Sequence, residues 1–295
     1  QKHPAVFMAV CENRPKGIVQ MLQQKPALEA IFLDDALQHL ALQPHFKIVL
    51  TTFQKPWFDD ALLPVGNLRE PAAAARDADI VVVTKCPKTI DAESSKAFRI
   101  RLGLLPHQAL FFTTLAYETH VRGASTLPLK EFVKSPFVLI TGIANPKPLV
   151  DFLKGQGADF RHLSYPDHHD FGEKEIASLK AMQQPILTTE KDAVRLASSA
   201  LEQCHTIGVG VRFLDKEQAF LDLVQSAIDG GREALRGAST PASSCGTSAS
   251  AAAAGRASMP CSSASLTYRC CATDECVTCA LLLHAAATAI TACVS

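Results

Sequence analysis

Residues 29–39 read EAIFLDDALQH, and the break in the middle of that stretch decides the fold. The apolar run Ala30-Ile31-Phe32-Leu33 stops abruptly on two adjacent acids, Asp34 and Asp35. An unbroken apolar run of this length is the mark of a strand buried on both faces, as in parallel sheets covered by helices. Paired carboxylates at the end of such a strand call for a positive partner, because two like charges side by side disfavour each other.

The same pattern recurs outward from that point. AVFMAV (5–10), KIVLTT (47–52), DIVVVTK (79–85), ALFFTTL (109–115), FVLIT (137–141), PILTT (185–189) and TIGVGV (206–211) are all short and rich in branched or aromatic residues. Between several of them lie amphipathic stretches that predict helices at Gly17–Gln24, Ala92–Leu102, Pro146–Lys154 and Glu173–Met182. Alternation of this kind predicts an α/β sandwich, and 295 residues allow one large domain or two medium ones. Lys plus Arg equals Asp plus Glu at 29 each, so no basic field points to nucleic acid. The N-terminal apolar run is too short for a signal peptide, and a chain that begins on Gln1 is expected to be a fragment.

Composition changes at residue 230. Before it stand only Cys11, Cys86 and Cys204, scattered as in a reduced cytoplasmic protein. After it come Cys245, Cys261, Cys270, Cys271, Cys276, Cys279 and Cys293 in a background of Ala, Ser and Gly. Such a background buries too little apolar surface to offset its ordering entropy, so residues 230–295 are expected to be a disordered or non-native tail. CCATDECVTC has irregular spacing for a zinc knuckle, and CALLLHAAATAITACV is too weakly apolar for a membrane span.

In doubly wound sheets the chemistry gathers at the carboxyl ends of the strands. The loops there carry Asp34, Asp35, Gln38 and His39; Lys85; TGIANPKP; and TTEKDAVRL. Asn145 and Pro146 suit a helix start, and Thr189 with Asp192 resembles a capping box. LLPVGNLREP (62–71) fits neither helix nor strand; it reads as a rigid loop whose Arg69, beside Glu70, either forks onto phosphate or forms a plain salt bridge. An apolar strand ending in Asp-Asp suits Mg²⁺ beside a nucleoside triphosphate, against the plainer reading of a solvated turn. DHHD (167–170) reads as a metal site from Asp167, His168, His169 and Asp170, or as a polar turn. Gly-x-x-x-x-Gly-Lys-Ser/Thr is absent.

LDDALQH, LLPVGNLREP, DIVVVTKCP, LITGIANPKPLVDFL, YPDHHDF and ILTTEKDAVRL occur in this order. Together they resemble the tetraacyldisaccharide 4'-kinase family of lipid A biosynthesis in its Bacteroidetes-like form. The family's acid pair is usually followed by Gly-Phe or Ala-Phe, where this chain has Ala36-Leu37.

The resemblance implies a P-loop kinase-like α/β/α sandwich, incomplete because the P-loop is absent, with a second, smaller α/β domain. The first domain would comprise residues 1–118 completed by a helix within 213–229, and the second would comprise residues 119–212. A two-stranded hinge would join them. It implies Asp34 and Asp35 as Mg²⁺ ligands, with Asp35 also organising the transferred phosphate. Gln38 and His39 would lie near the nucleotide, Arg69 and Glu70 near the phosphates, and His168 would help take the sugar proton. ATP would be the donor and a lipid A disaccharide precursor the acceptor, at the cytoplasmic face of the bacterial inner membrane. The family's anchor helix, P-loop and catalytic Gly-Asp-Glu-Pro segment are expected upstream, so the chain alone is expected to be inactive. On the residues alone, a Mg²⁺-dependent phosphohydrolase using DD and DHHD stays open.

Overall fold

The computed structural model describes residues 7–37, 39, 41–167, 169–196, 203–238 and 264–269, with backbone alone beyond residue 231. The chain divides into two units, residues 1–114 with 213–295 and residues 115–212. The divisions fall after Thr114 and after Arg212.

Unit 1 opens with helix α1 (Arg14–Gln24), capped by the Asn13 side chain on the Lys16 N–H, with Pro15 in its first turn. Strands β1 (Ala30–Leu33), β2 (Phe46–Thr52) and β3 (Ile80–Thr84) follow, then helix α2 (Ala92–Arg101) and the first part of β4 (Ala109–Arg122). Helix α7 (Glu217–Ala238) and strand β10 (Ala264–Arg269) complete the unit. Its strands run parallel in the order β1-β10-β2-β3-β4. β3 is buried along its whole length, and a fully buried side chain such as Ile80 contributes roughly 1.5–3 kcal/mol. One face of the unit packs Val49, Trp57, Val81, Val83 and Phe112 together. On α7, Phe220, Val224 and Ile228 form the buried stripe, with Phe220 edge-on to Phe111. Leu223 lies off that stripe and is exposed, because helical spacing from Phe220 selects positions four and eight further on.

Unit 2 contains the second part of β4, then β5 (Thr126–Pro128), α3 (Leu129–Phe132), β6 (Phe137–Thr141), α4 (Lys147–Gly155), β7 (Phe160–Ser164), α5 (Glu173–Lys180), β8 (Ile186–Thr189), α6 (Glu190–Leu196) and β9 (Cys204–Phe213). Its sheet runs β4-β9-β8-β6-β7, with β5 antiparallel to β4 and the β9-β8-β6-β7 pairs parallel. The chain passes from one unit to the other within β4 and at the end of β9.

Three expectations are corrected. Residues 7–10 of AVFMAV form no strand, and Met8 and Val10 stand exposed, because an apolar run without a neighbouring ladder has nothing to pair with. β7 is a strand without a continuous apolar run: it lies at the sheet edge and buries only part of each side chain. The tail is not wholly without structure, since α7 continues to Ala238 and β10 pairs with both β1 and β2, which lends it ladders on both sides. The clustered cysteines beyond residue 269 lie outside the described residues.

Candidate functional site

In unit 1 the site begins where β1 ends. Asp35 takes a left-handed φ of 45°, a conformation aspartate tolerates better than most residues. The chain therefore turns at once after Leu33, with Ala36 buried beside Ile18, Ile31 and Leu33. Asp34 is exposed and Asp35 half-buried. The positive partner called for by the sequence is Arg69: its Nη2 donates to both carboxylate oxygens of Asp35 at 2.9 Å, across 34 residues of chain.

The loop that delivers Arg69 is built around Asp60. Its carboxylate accepts from the backbone N–H groups of Ala61 and Asn67 and from the Asn67 side chain, with Lys55 at 3.3 Å. Desolvation pushes the Asp60 carboxyl up, but the hydrogen bonds from Asn67 and Ala61 outweigh it and leave its pKa lowered. Leu63 N–H donates to the Leu68 carbonyl and Leu68 N–H to that of Ala61, while the Leu68 side chain anchors the turn in the core. Only glycine fits at residue 66, where a Cβ would run into the Ala61 carbonyl and the Asp60 carboxylate. Glu70 is half-buried next to Arg69, and His39 is half-buried with its N–H on the Ala36 carbonyl. Gln38 lies outside the described residues.

A second strand end in unit 1 has the same form. Lys85 follows β3 with φ 54° and is half-buried. Beside it, the Thr84 hydroxyl donates to the Thr51 carbonyl, and the Thr51 hydroxyl accepts from Trp57 N–H. Burial pushes the neighbouring Cys86 thiol up to about 12, so it is an inert core group.

In unit 2 the loops after β6, β7 and β8 are tied to one another. Asp192 is fully buried; its carboxylate accepts from the Gly142 N–H (3.0 Å), the Thr189 hydroxyl (2.8 Å) and Arg195 (3.0 Å). Arg195 also reaches the Gly142 carbonyl. The cap expected at Thr189 is present, since its hydroxyl accepts from Asp192 N–H, yet the Asp192 side chain does more than cap. The cap expected at Asn145 is not formed: the helix starts at Lys147, one residue later than expected, with Pro146 at the N-cap position and no side-chain cap bond, and Asn145 Oδ1 only accepts from Lys147 N–H at 3.3 Å.

The DHHD stretch sits on the β7–α5 loop of this unit. Asp167 pairs with Lys191 at 3.1 Å, whereas His169 Nε2 meets both Glu175 oxygens at 3.0–3.1 Å and its ring stacks on Tyr165. The Gly172 N–H and the His169 contact lower the Glu175 pKa. Asp167 and His169 thus turn to different partners. Among the described residues no group of three or more His, Cys, Asp or Glu side chains is arranged to hold a metal ion. His168 lies outside the described residues.

Set against known proteins, residues 1–229 match the family described as Tetraacyldisaccharide-1-P 4'-kinase. The chain belongs to the tetraacyldisaccharide 4'-kinase family. The Tetraacyldisaccharide 4'-kinase of Flavobacterium johnsoniae is 39% identical over 75% of this chain and 65% of its own length. That of Bacteroides thetaiotaomicron is 39% identical over 66% of this chain and 56% of its own length. The chain therefore spans between about half and two thirds of the length of these relatives. LpxK from Aquifex aeolicus, solved in complex with ATP, shares the fold with a TM-score of 0.54 at 23% identity, over 74% of this chain and 63% of that one. The fold is P-loop kinase-like, and among the described residues no helix is long and apolar enough to cross a membrane. β10 lies outside the family match, yet it stands inside the sheet next to the strand of the paired aspartates.

Proposed function

We propose that this chain is part of a kinase that transfers the γ-phosphate of ATP to the 4'-hydroxyl of a tetraacyldisaccharide 1-phosphate. The observation that carries the reading is the meeting of Asp35 and Arg69 at the carboxyl end of β1, inside a chain of the 4'-kinase family. Phosphoryl transfer rests on positioning and charge neutralisation, and an acid pair with an arginine beside it offers both.

Asp34 and Asp35 would hold Mg²⁺. Two adjacent oxygen donors at a half-open turn fit an ion that takes one or two carboxylates and completes its shell with phosphate oxygens and water. When bound, the ion would offset the negative charge that builds on the transferred phosphate. Arg69 and Glu70 would lie by the phosphates, with Gln38 and His39 near the nucleotide. His168 would take the proton of the attacking hydroxyl, a task for which imidazole is suited near neutral pH. The lipid acceptor places the reaction at the cytoplasmic surface of the inner membrane.

No phosphate-gripping Gly-x-x-x-x-Gly-Lys-Ser/Thr stands in these 295 residues, so the chain alone is inactive under this reading. The phosphohydrolase alternative needs the DHHD side chains to converge on one ion, and the separate ties of Asp167 and His169 give it no support.

The test joins the chain to the part of the Flavobacterium johnsoniae kinase outside the match and measures ATP-dependent phosphorylation of the disaccharide. The fusion should be active and the separate chain not. Asp34→Ala, Asp35→Ala and His168→Ala should each abolish transfer. Full activity in all three, or phosphate release by the separate chain without ATP, overturns the reading.

A further inference from the structure

The Asp167 carboxylate and the Lys191 ammonium come together from 24 residues apart in unit 2, and the reading above gives neither a task. Lys191 is mounted on a firm base. Its neighbour Asp192 is fully buried and ties the start of α6 to Gly142 and Thr189, with Arg195 closing the same cluster. A Cβ at Gly142 would lie 3.1 Å from Asp192 Oδ1 and 3.4 Å from the Pro166 carbonyl, so the three loops meet closely there.

The β7–α5 loop is held on both sides of residue 168. Before it, Tyr165 N–H donates to the Thr141 carbonyl at 2.7 Å, and Asp167 is tied to Lys191. After it, His169 is fixed by its N–H on the Pro166 carbonyl, by Glu175 and by stacking on Tyr165, with Phe171 edge-on to both rings. Of these ties, only the Lys191–Asp167 pair links the loop to α6 by charge. Both side chains are about two-thirds shielded from solvent, at 32% and 27% exposure, which sets the pair apart from a freely solvated surface bridge.

We propose that Lys191 is a positioning residue: through Asp167 it fixes the β7–α5 loop, the stretch of chain to which His168, assigned the acceptor's proton in the kinase reading, belongs by sequence. The clamp itself stands on the geometry of unit 2, whereas its catalytic consequence rests on the kinase reading. Small displacements of a proton-accepting group cost up to about a hundredfold in rate, so the loss of one charged tie from this loop is expected to register in catalysis.

The experiment has two arms. In the chain as it stands, hydrogen exchange is followed at the amides of Tyr165 and His169 in Lys191→Met and Lys191→Arg. Lys191→Met should speed exchange at these amides roughly tenfold while β6 amides keep their rates, and Lys191→Arg should restore most of the protection. Unchanged exchange in Lys191→Met overturns the clamp whether or not the chain is part of a kinase.

In the active fusion, Lys191→Met should lower kcat by on the order of 10–100-fold with the KM for ATP unaltered. Adding Asp167→Asn should cost nothing more, because the two side chains act as one unit. An unaltered kcat, additive losses, or a change confined to KM overturns the catalytic role while leaving the kinase reading intact. A fusion inactive in every form, wild type included, counts against the kinase reading and leaves the exchange result to decide the clamp.

Discussion

Both units present polar loops at the carboxyl ends of parallel strands, but they hold those loops by opposite means. In unit 1 the acid pair is steadied by Arg69, a contact whose side chains are 44% and 38% exposed. In unit 2 the corresponding edge is nailed down by Asp192, with no exposure at all and partners in the β6–α4 loop, at the end of β8 and on α6. Unit 1 also draws a strand, β10, from beyond the family match, whereas unit 2 is built from one continuous stretch, residues 115–212. An exposed charge pair contributes little to folding and stays available for exchange with a ligand; a buried one fixes geometry and is costly to break. Under the kinase reading proposed above, the contrast suits one edge to ligand exchange and the other to holding a loop still.

The hardest blow to that comparison is Asp192→Ala. It leaves the Arg195 guanidinium, the Gly142 N–H and the Thr189 hydroxyl without their shared acceptor, at a cost of about 3–5 kcal/mol. The loss should be confined to unit 2. Two thiols report on this separately, Cys86 buried in unit 1 and Cys204 half-buried in unit 2, which burial pushes up to about 12 and about 11. Pulsed alkylation along a urea series should label Cys204 at clearly lower urea in the variant and leave the Cys86 midpoint in place. Equal shifts at both thiols would mean that the two units unfold as one, and the contrast would lose its footing.

What the sequence disclosed follows from how locally each feature is encoded. β2, β3 and β6 were legible because strands covered on both faces must be apolar residue after residue. β7 was not, because an edge strand that is only partly covered carries Arg161 and His162 without penalty. AVFMAV read as a strand, yet its residues 7–10 form none, since pairing depends on a neighbour that composition does not reveal. The acid pair stood out because charge interrupts an apolar run within two residues. Its partner Arg69 was a candidate by residue type, but the contact with Asp35 spans 34 positions and only the folded chain shows it. Asp192 looked like the far member of a capping box whose cap is Thr189, and nothing local betrays that its carboxylate reaches Gly142 across 50 residues.

Arg69→Met probes the other side of the comparison and should be far milder for folding. With both side chains substantially exposed, losing the pair should move unit 1 by no more than about 1 kcal/mol. The chain's single tryptophan, Trp57, lies buried in the core of unit 1, and its fluorescence along a urea series measures that directly. In the active fusion the same substitution should reduce phosphate transfer severely. A stability loss as large as that of Asp192→Ala would show that Arg69 holds the fold rather than the site.

The smallest effect concerns Glu175, and its sign is fixed by chemistry. The Gly172 N–H and the His169 contact favour the charged carboxylate, so its pKa in the folded chain lies below the ordinary 4.5. A group depressed in this way stabilises the fold at pH values above its unfolded pKa, and that contribution fades as the pH falls through the lower, folded value. Glu175→Gln removes the charge at every pH. At neutral pH the variant should therefore exchange the amides of the β7–α5 loop somewhat faster than wild type, and the difference should close as the solution is acidified below the usual glutamate range. A gap that persists or widens in acid would show that shape rather than charge at residue 175 secures the loop. The firmness of unit 2 would then rest on Asp192 and Lys191 with no help from α5.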